Sequence, residues 1–411
     1  MNCSKIDRLG SSWSCDGSSC NQKIIVGDVY EVCNFLSKGC FGQLRLGKCI
    51  TNNEPVAIKI ELKKNETARS EHSELKFYQK LGNRECIPKV FYSGCYKNHL
   101  LLVMELLGLS LEDLCDLSGG AFSTKTSCMI AINLIDAIEY IHSKGIVHRD
   151  LKPANMLIGR QIRRQHLLYI IDFGLATEYV NSDSGLHKPF GKAQSIVGTP
   201  AFLSLNAHRG EEQSRRDDIE AIGYILISGA KGLPWMGKQV QAPNRRELLA
   251  KIHQLKMSNK IEQLCEGLPE QFGTFLSAAR NLDYFDKPKY GRLRKMWLDL
   301  LKLSGSRLDY NYDWTTKLMQ IASLSCEDTD IERLMTRLSS EDTRTTTPLL
   351  RRRLTRQKMV FVSSSSDESG SAASSKVDYI LTLLCFRFGS SDKACEKFHK
   401  TTCSRGFESG E

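Results

Sequence analysis

The octapeptide His148-Arg149-Asp150-Leu151-Lys152-Pro153-Ala154-Asn155 joins an apolar helical pattern to an apolar strand pattern. A carboxylate, an ammonium and a side-chain amide stand at 150, 152 and 155, near enough to serve one reaction. A carboxylate can orient a hydroxyl, a cation can meet charge on a phosphate, and an amide oxygen can hold a metal ion. Those are needs of phosphoryl transfer. The loop supplies only part of the equipment, so the remaining parts must lie elsewhere in the chain.

Upstream, Leu36-Ser37-Lys38-Gly39-Cys40-Phe41-Gly42-Gln43-Leu44 lies between two strand-like runs. Gly39 and Gly42 would let backbone amides approach phosphates with no Cβ in the way. A glycine pair alone marks a hairpin turn equally well. Ser37 stands where the first glycine of a G-x-G-x-x-G loop would be, which makes a stiffer loop than that motif. The next strand, Glu54 to Leu62, carries Val56-Ala57-Ile58-Lys59, a strand lysine suited to the α- and β-phosphates. A helix expected over Glu71 to Leu81 offers Glu74 as its partner, with Glu71 as the rival one turn earlier. Phe77, Tyr78 and Leu81 form the apolar side of that helix and favour Glu74. Downstream, Asp172-Phe173-Gly174 follows an apolar strand, and a carboxylate at a strand end can hold Mg²⁺ against phosphate oxygens. The expected catalytic set is therefore Lys59, Glu74, Asp150 and Lys152, with Asn155 and Asp172 on the metal and ATP as cosubstrate.

The chain has 411 residues, 41% hydrophobic and 25% charged, ordinary values for a globular protein with ample core. Its net charge of +10 suits anionic partners. No zinc-finger spacing or aromatic-interleaved basic motif supports nucleic acid. Fifteen cysteines without a C-x-x-C pair read as free thiols in a reducing, cytoplasmic compartment. The N-terminus lacks the apolar run of a signal peptide, and Val377 to Phe388 is too short to span a bilayer.

Three parts are expected: a flexible tail over 1–28, a catalytic domain over 29–315, and a mostly disordered tail over 316–411 with basic and Ser-rich segments. Within the domain, short β-type runs give way after Gly108 to helical patterns, including Ser127 to Ser143 with Ile130, Leu134, Ile138 and Ile141 on one stripe. This order implies an α+β fold of two lobes, a small β-rich N-lobe and a larger helical C-lobe.

Taken together, the glycine loop, Lys59, the loop at 148–155 and Asp-Phe-Gly resemble a protein kinase. Gly198-Thr199, Ser204-Leu-Asn206 and Glu212-Gln-Ser-Arg-Arg-Asp-Asp218 resemble the casein kinase 1 family, as do Met104 to Leu114, Leu233-Pro-Trp235 and Asp309 to Trp314. Arg45-Leu-Gly-Lys and Leu157-Ile-Gly-Arg are most similar to its gamma isoforms. The resemblance implies a bilobal serine/threonine kinase acting on protein substrates, expected as a monomer. It implies Met104 at the back of the nucleotide pocket, Ala57 and Leu157 against the base, and the Glu105 and Leu107 backbones meeting adenine. It also implies that Asp218, opening a helix, supports the catalytic loop. A pseudokinase scaffold is the alternative, but it would be expected to have lost Lys59, Asp150 or Asp172.

Departures from the family fall at Gly191, Gln194 and Ala201, where basic side chains usually grip a phosphate already on the substrate; charge-assisted phosphate contacts are lost there, with Lys188 and Lys192 placed to compensate in part. Arg149 has two readings, a structural donor or a receptor for phosphate on Thr177 or Ser195. In the tail, Arg351 to Lys358 plus Cys385 read either as a two-signal anchor at the inner face of the plasma membrane or as a disordered tail with an incidental cysteine.

Overall fold

The computed structural model describes residues 23–39, 42–63, 72–181, 183–237 and 240–320. Cys40, Phe41, Glu71, the tail segment 351–358 and Cys385 lie outside the described residues, as do both expected tails almost entirely.

The N-terminal part is a six-stranded antiparallel sheet ordered β1-β2-β3-β4-β6-β5. Its strands are β1 (Ile25–Val26), β2 (Tyr30–Gly39), β3 (Gly42–Cys49), β4 (Pro55–Leu62), β5 (Val90–Tyr96) and β6 (His99–Glu105). Strand alternation determines which way each side chain of β4 points. Val56, Ile58 and Ile60 go to one face, where they pack with Leu101, Val103 and Val26. Ala57 goes to the other face, with Leu36, Leu46, Leu102 and Met104. Lys59 shares this second face, so the alternation that builds the sheet also aims the ammonium at the interlobe cleft.

Gly39 and Gly42 are register partners that flank the β2–β3 turn. At Gly42 a Cβ would stand 2.0 Å from the Ile60 carbonyl oxygen of the neighbouring strand. This glycine is required by strand contact, whatever it does for phosphates. Helix α1 (Leu75–Leu81) begins four residues later than expected, with Glu74 at its N-cap. It turns Phe77, Tyr78 and Leu81 inward, as its apolar spacing implies.

The second part is helical. Helices α2 (Leu111–Leu117) and α3 (Thr124–Ser143) follow the sheet. α3 starts three residues before the expected Ser127, because the Ser123 hydroxyl accepts a hydrogen bond from the Thr126 N–H and caps the helix there. Buried on nearly every side, α3 packs against α5 (Arg215–Lys231) and α9 (Tyr290–Leu303). Short strands β7 (Ile146–Val147), β8 (Met156–Ile158), β9 (Leu168–Ile170) and β10 (Thr177–Glu178) line the cleft, pairing β7 with β10 and β8 with β9. The remaining helices are α4 (Leu205–His208), α6 (Arg245–Ser258), α7 (Ile261–Leu264) and α8 (Glu270–Arg280). Trp297 and Trp314 are among the largest fully buried side chains of this lobe. No helix among the described residues is long and apolar enough to cross a membrane.

Candidate active site

Three distant stretches meet at Lys59. Its ammonium bonds to the Glu74 carboxylate and lies 2.8 Å from Asp172 Oδ1. Burial by itself would depress Lys59, but the two carboxylates outweigh it and raise its pKa. One cation shared by two acids leaves one of them under-compensated. Burial raises Glu74 to about 7, whereas Lys59 holds Asp172 below the ordinary carboxylate range despite its burial. Asp172 adopts φ 68°, ψ 70°, a left-handed conformation that turns its side chain back toward Lys59. Its N–H is hydrogen-bonded to the Tyr78 hydroxyl, tying α1 to this turn.

The loop 148–155 holds a second cluster. Asp150 Oδ2 is 2.8 Å from Lys152 Nζ, and Oδ1 accepts a 2.7 Å hydrogen bond from the Thr199 hydroxyl. The Asn155 side-chain amide donates to the Asp150 carbonyl at 3.0 Å, which turns its oxygen the other way. Asn155 Oδ1 and Asp172 Oδ2 accept no hydrogen bond among the described residues. Two such oxygens form the donor set a hard divalent cation prefers, so these residues fit Mg²⁺.

Asp218 supports the loop from behind. Its Oδ2 accepts from the His148 N–H at 2.8 Å and its Oδ1 from the Arg149 N–H at 3.0 Å. His142 Nε2 lies 2.9 Å from Oδ2, and His142 Nδ1 lies 2.7 Å from the Tyr290 hydroxyl. A carboxylate can only accept, so Nε2 carries the imidazole hydrogen and Nδ1 accepts from Tyr290. Burial would raise Asp218, yet these donors prevail and hold it below its ordinary value.

The side of the cleft expected to take the nucleotide is apolar. Ala57 and Met104 are register partners on β4 and β6, both buried with Leu36. Leu157 on β8 is half-buried, and Leu107 is buried just beyond β6. The Glu105 N–H donates to the Lys89 carbonyl and its carboxylate pairs with Arg164 at 2.6 Å. Gln43, Leu44 and exposed Ser37 belong to the β2–β3 hairpin, to which Lys38 and Gly39 contribute backbone. Its tip, Cys40–Phe41, lies outside the described residues.

A model of the protein kinase domain family matches residues 30–293. The chain belongs to the protein kinase family. In this kinase the β-rich lobe supplies Lys59 and Glu74, and the helical lobe supplies the other four residues of the expected set.

The segment after Asp172 is held by donors that sequence reading missed. Arg245 donates to the Gly198 carbonyl at 2.8 Å, and Gln213 to that of Val197 at 3.1 Å. Trp235 Nε1 donates to Ala201 at 2.9 Å. Buried Lys256 donates to the carbonyls of Pro200 and Leu203, with Tyr224 and Trp235 rings beside its ammonium. Burial pushes Lys256 well below its ordinary value, against the pull of Glu220. One signal was available: Lys256 falls four residues after Ile252, on the buried stripe of α6.

Arg149 Nε donates to the Leu175 carbonyl at 2.7 Å, which is the structural-donor role. Gly198 sits at φ 107°, and a Cβ there would stand 2.5 Å from the Arg149 carbonyl oxygen. Gly198→Ala is expected to cost about 1–3 kcal/mol from backbone strain alone and to misplace Thr199. Thermal unfolding together with kcat checks it; an unchanged midpoint and rate would contradict the close approach.

Proposed function

We propose that this kinase is an active serine/threonine enzyme of the casein kinase 1 type, most like the gamma isoforms, transferring the ATP γ-phosphate to protein hydroxyls. The observation that carries the reading is the set of bonds around Asp150: Lys152 on one oxygen, Thr199 on the other, and Asn155 on its carbonyl. Asp150 Oδ1, with Thr199 as its donor, keeps a further lone pair, so a substrate hydroxyl can still donate to it. In this reading Asp150 takes the proton as the hydroxyl oxygen attacks the γ-phosphorus. Lys152 offsets charge on the transferred group, and Lys59, steadied by Glu74, grips the α- and β-phosphates. Mg²⁺, held by Asn155 and Asp172, would supply charge neutralisation on the phosphates. Ala57, Met104, Leu36 and Leu157 enclose the base.

The test is incorporation of phosphate into casein from ATP and Mg²⁺, followed by phosphoamino-acid analysis. Phosphoserine and phosphothreonine are expected, at a turnover of roughly 1–100 s⁻¹. Nucleotide binding without transfer in the unaltered chain would instead return the scaffold reading.

The substrate reading follows from what the activation segment lacks. Gln194 is exposed, Gly191 has open space around it, and Ala201 offers no charge. Lys192 points to the Arg209 carbonyl, at 3.5 Å. Without arginines here, a substrate phosphate gains little. A peptide bearing phosphoserine three residues before its acceptor should be turned over within about twofold of the plain peptide. A gain of tenfold or more, equivalent to about 1.4 kcal/mol, would overturn this reading.

A further inference from the structure

Beside the Lys59 tie, Glu61 and His72, neither with a part in phosphate transfer, form a cluster with Glu74. His72 precedes α1, Glu61 lies two residues beyond Lys59 on β4, and Glu74 is the N-cap of α1. One ligand-type atom from each of Glu61, His72 and Glu74 lies within 4.8 Å of the others.

Two of these atoms are orphans. His72 is 2% exposed and Glu74 0%, and neither His72 Nε2 nor Glu74 Oε2 has a hydrogen-bond partner. Glu74 spends its other oxygen on Lys59. His72 Nε2 is 3.3 Å from Glu61 Oε1 but is not aligned for a hydrogen bond. Buried polar atoms left unpaired are costly and call for an explanation.

The charge balance points the same way. Among the described residues Lys59 bonds to both Glu74 and Asp172, one ammonium between two carboxylates. A neutral imidazole with two carboxylates is a donor set for a borderline transition metal. The 3.3 Å His72–Glu61 spacing already equals a tetrahedral edge, about 3.3 Å for metal–ligand bonds of about 2.0–2.1 Å.

We propose that Glu61, His72 and Glu74 form a Zn²⁺ site with three protein ligands and an open fourth position, between β4 and the start of α1. Binding requires the imidazole hydrogen on Nδ1, which gives up only the long 3.4 Å contact from the Glu74 N–H. Zn²⁺ on Glu74 Oε2 leaves Oε1 on Lys59, so the metal would tie the start of α1 to β4. The site rests on the observed geometry and not on the proposed transferase activity, so it can be tested without ATP.

The probes are Zn²⁺ and Co²⁺ added to the metal-free full chain, with Glu61→Gln and His72→Gln as variants. Calorimetry should give one Zn²⁺ whose affinity falls at least tenfold in each variant. Co²⁺ should show tetrahedral visible bands without thiolate charge transfer, and Zn²⁺ should raise the unfolding midpoint of the unaltered chain only. Undiminished binding in Glu61→Gln, or a thiolate-to-cobalt band, would assign the metal to cysteines and overturn the proposal. Glu61 is the more exposed ligand, so its variant remains informative if His72→Gln fails to fold.

Discussion

Asp150→Asn should lower phosphate transfer to casein by roughly 10²–10⁴-fold, the usual contribution of a positioned general base, while ATP still binds. The substitution keeps size and shape and removes basicity. The Thr199 hydroxyl can still donate to the remaining carbonyl oxygen. Lys152, which would then face an NH₂ group, is about a quarter exposed and can turn to water. The fold should therefore be undisturbed, and a thermal unfolding midpoint within a degree or two checks this. Because the pocket proposed for the nucleotide is built from other residues, ATP affinity should change little by calorimetry. Phosphorylation that survives the change would remove Asp150 from the role assigned to it.

Asp218→Ala should be the most damaging substitution outside the cleft, costing about 3–5 kcal/mol, as expected when one member of a buried charged network is deleted. Three donors converge on this carboxylate, two from the catalytic-loop backbone and one from His142. At 2% exposure water cannot replace it. Asp218→Asn separates charge from shape, because its NH₂ must face one of those donors. The pH dependence has a definite sign. The folded pKa is depressed, so the stabilisation is present above the unfolded value of about 3.9 and disappears as pH falls through the folded one. The gap in unfolding midpoint between the native chain and Asp218→Asn should thus be widest near neutrality and close in acid. A gap that is constant with pH would mean the carboxylate charge is not what holds the loop.

Much of this site could be read from spacing because its parts are short and local. A strand lysine, a loop aspartate two residues from a lysine, and Asp-Phe-Gly after an apolar strand each announce themselves within a few residues. Glu74 over Glu71 was decided by packing: the inward face of α1 carries Glu74 at its base. The carbonyl donors Lys256, Arg245 and Trp235 were invisible for the opposite reason. Each reaches a backbone oxygen 34 to 56 residues away, and such bonds leave no period in a sequence. The need for Gly42 was hidden in the same way, since the clash it avoids lies on the adjacent strand.

The shared ammonium of Lys59 bears on the choice of an inactive control. Replacing it strands two carboxylates, Glu74 fully buried and Asp172 about a quarter exposed. It also cuts a bond between residues 113 positions apart that belong to different lobes. A variant at Lys59 is therefore expected to lose this tie between the lobes as well as the proposed grip on phosphate. Asp150→Asn is expected to remove the chemistry and leaves the Lys59 tie untouched. It is the null to use when the question is whether a cellular effect needs catalysis or only the presence of the folded protein.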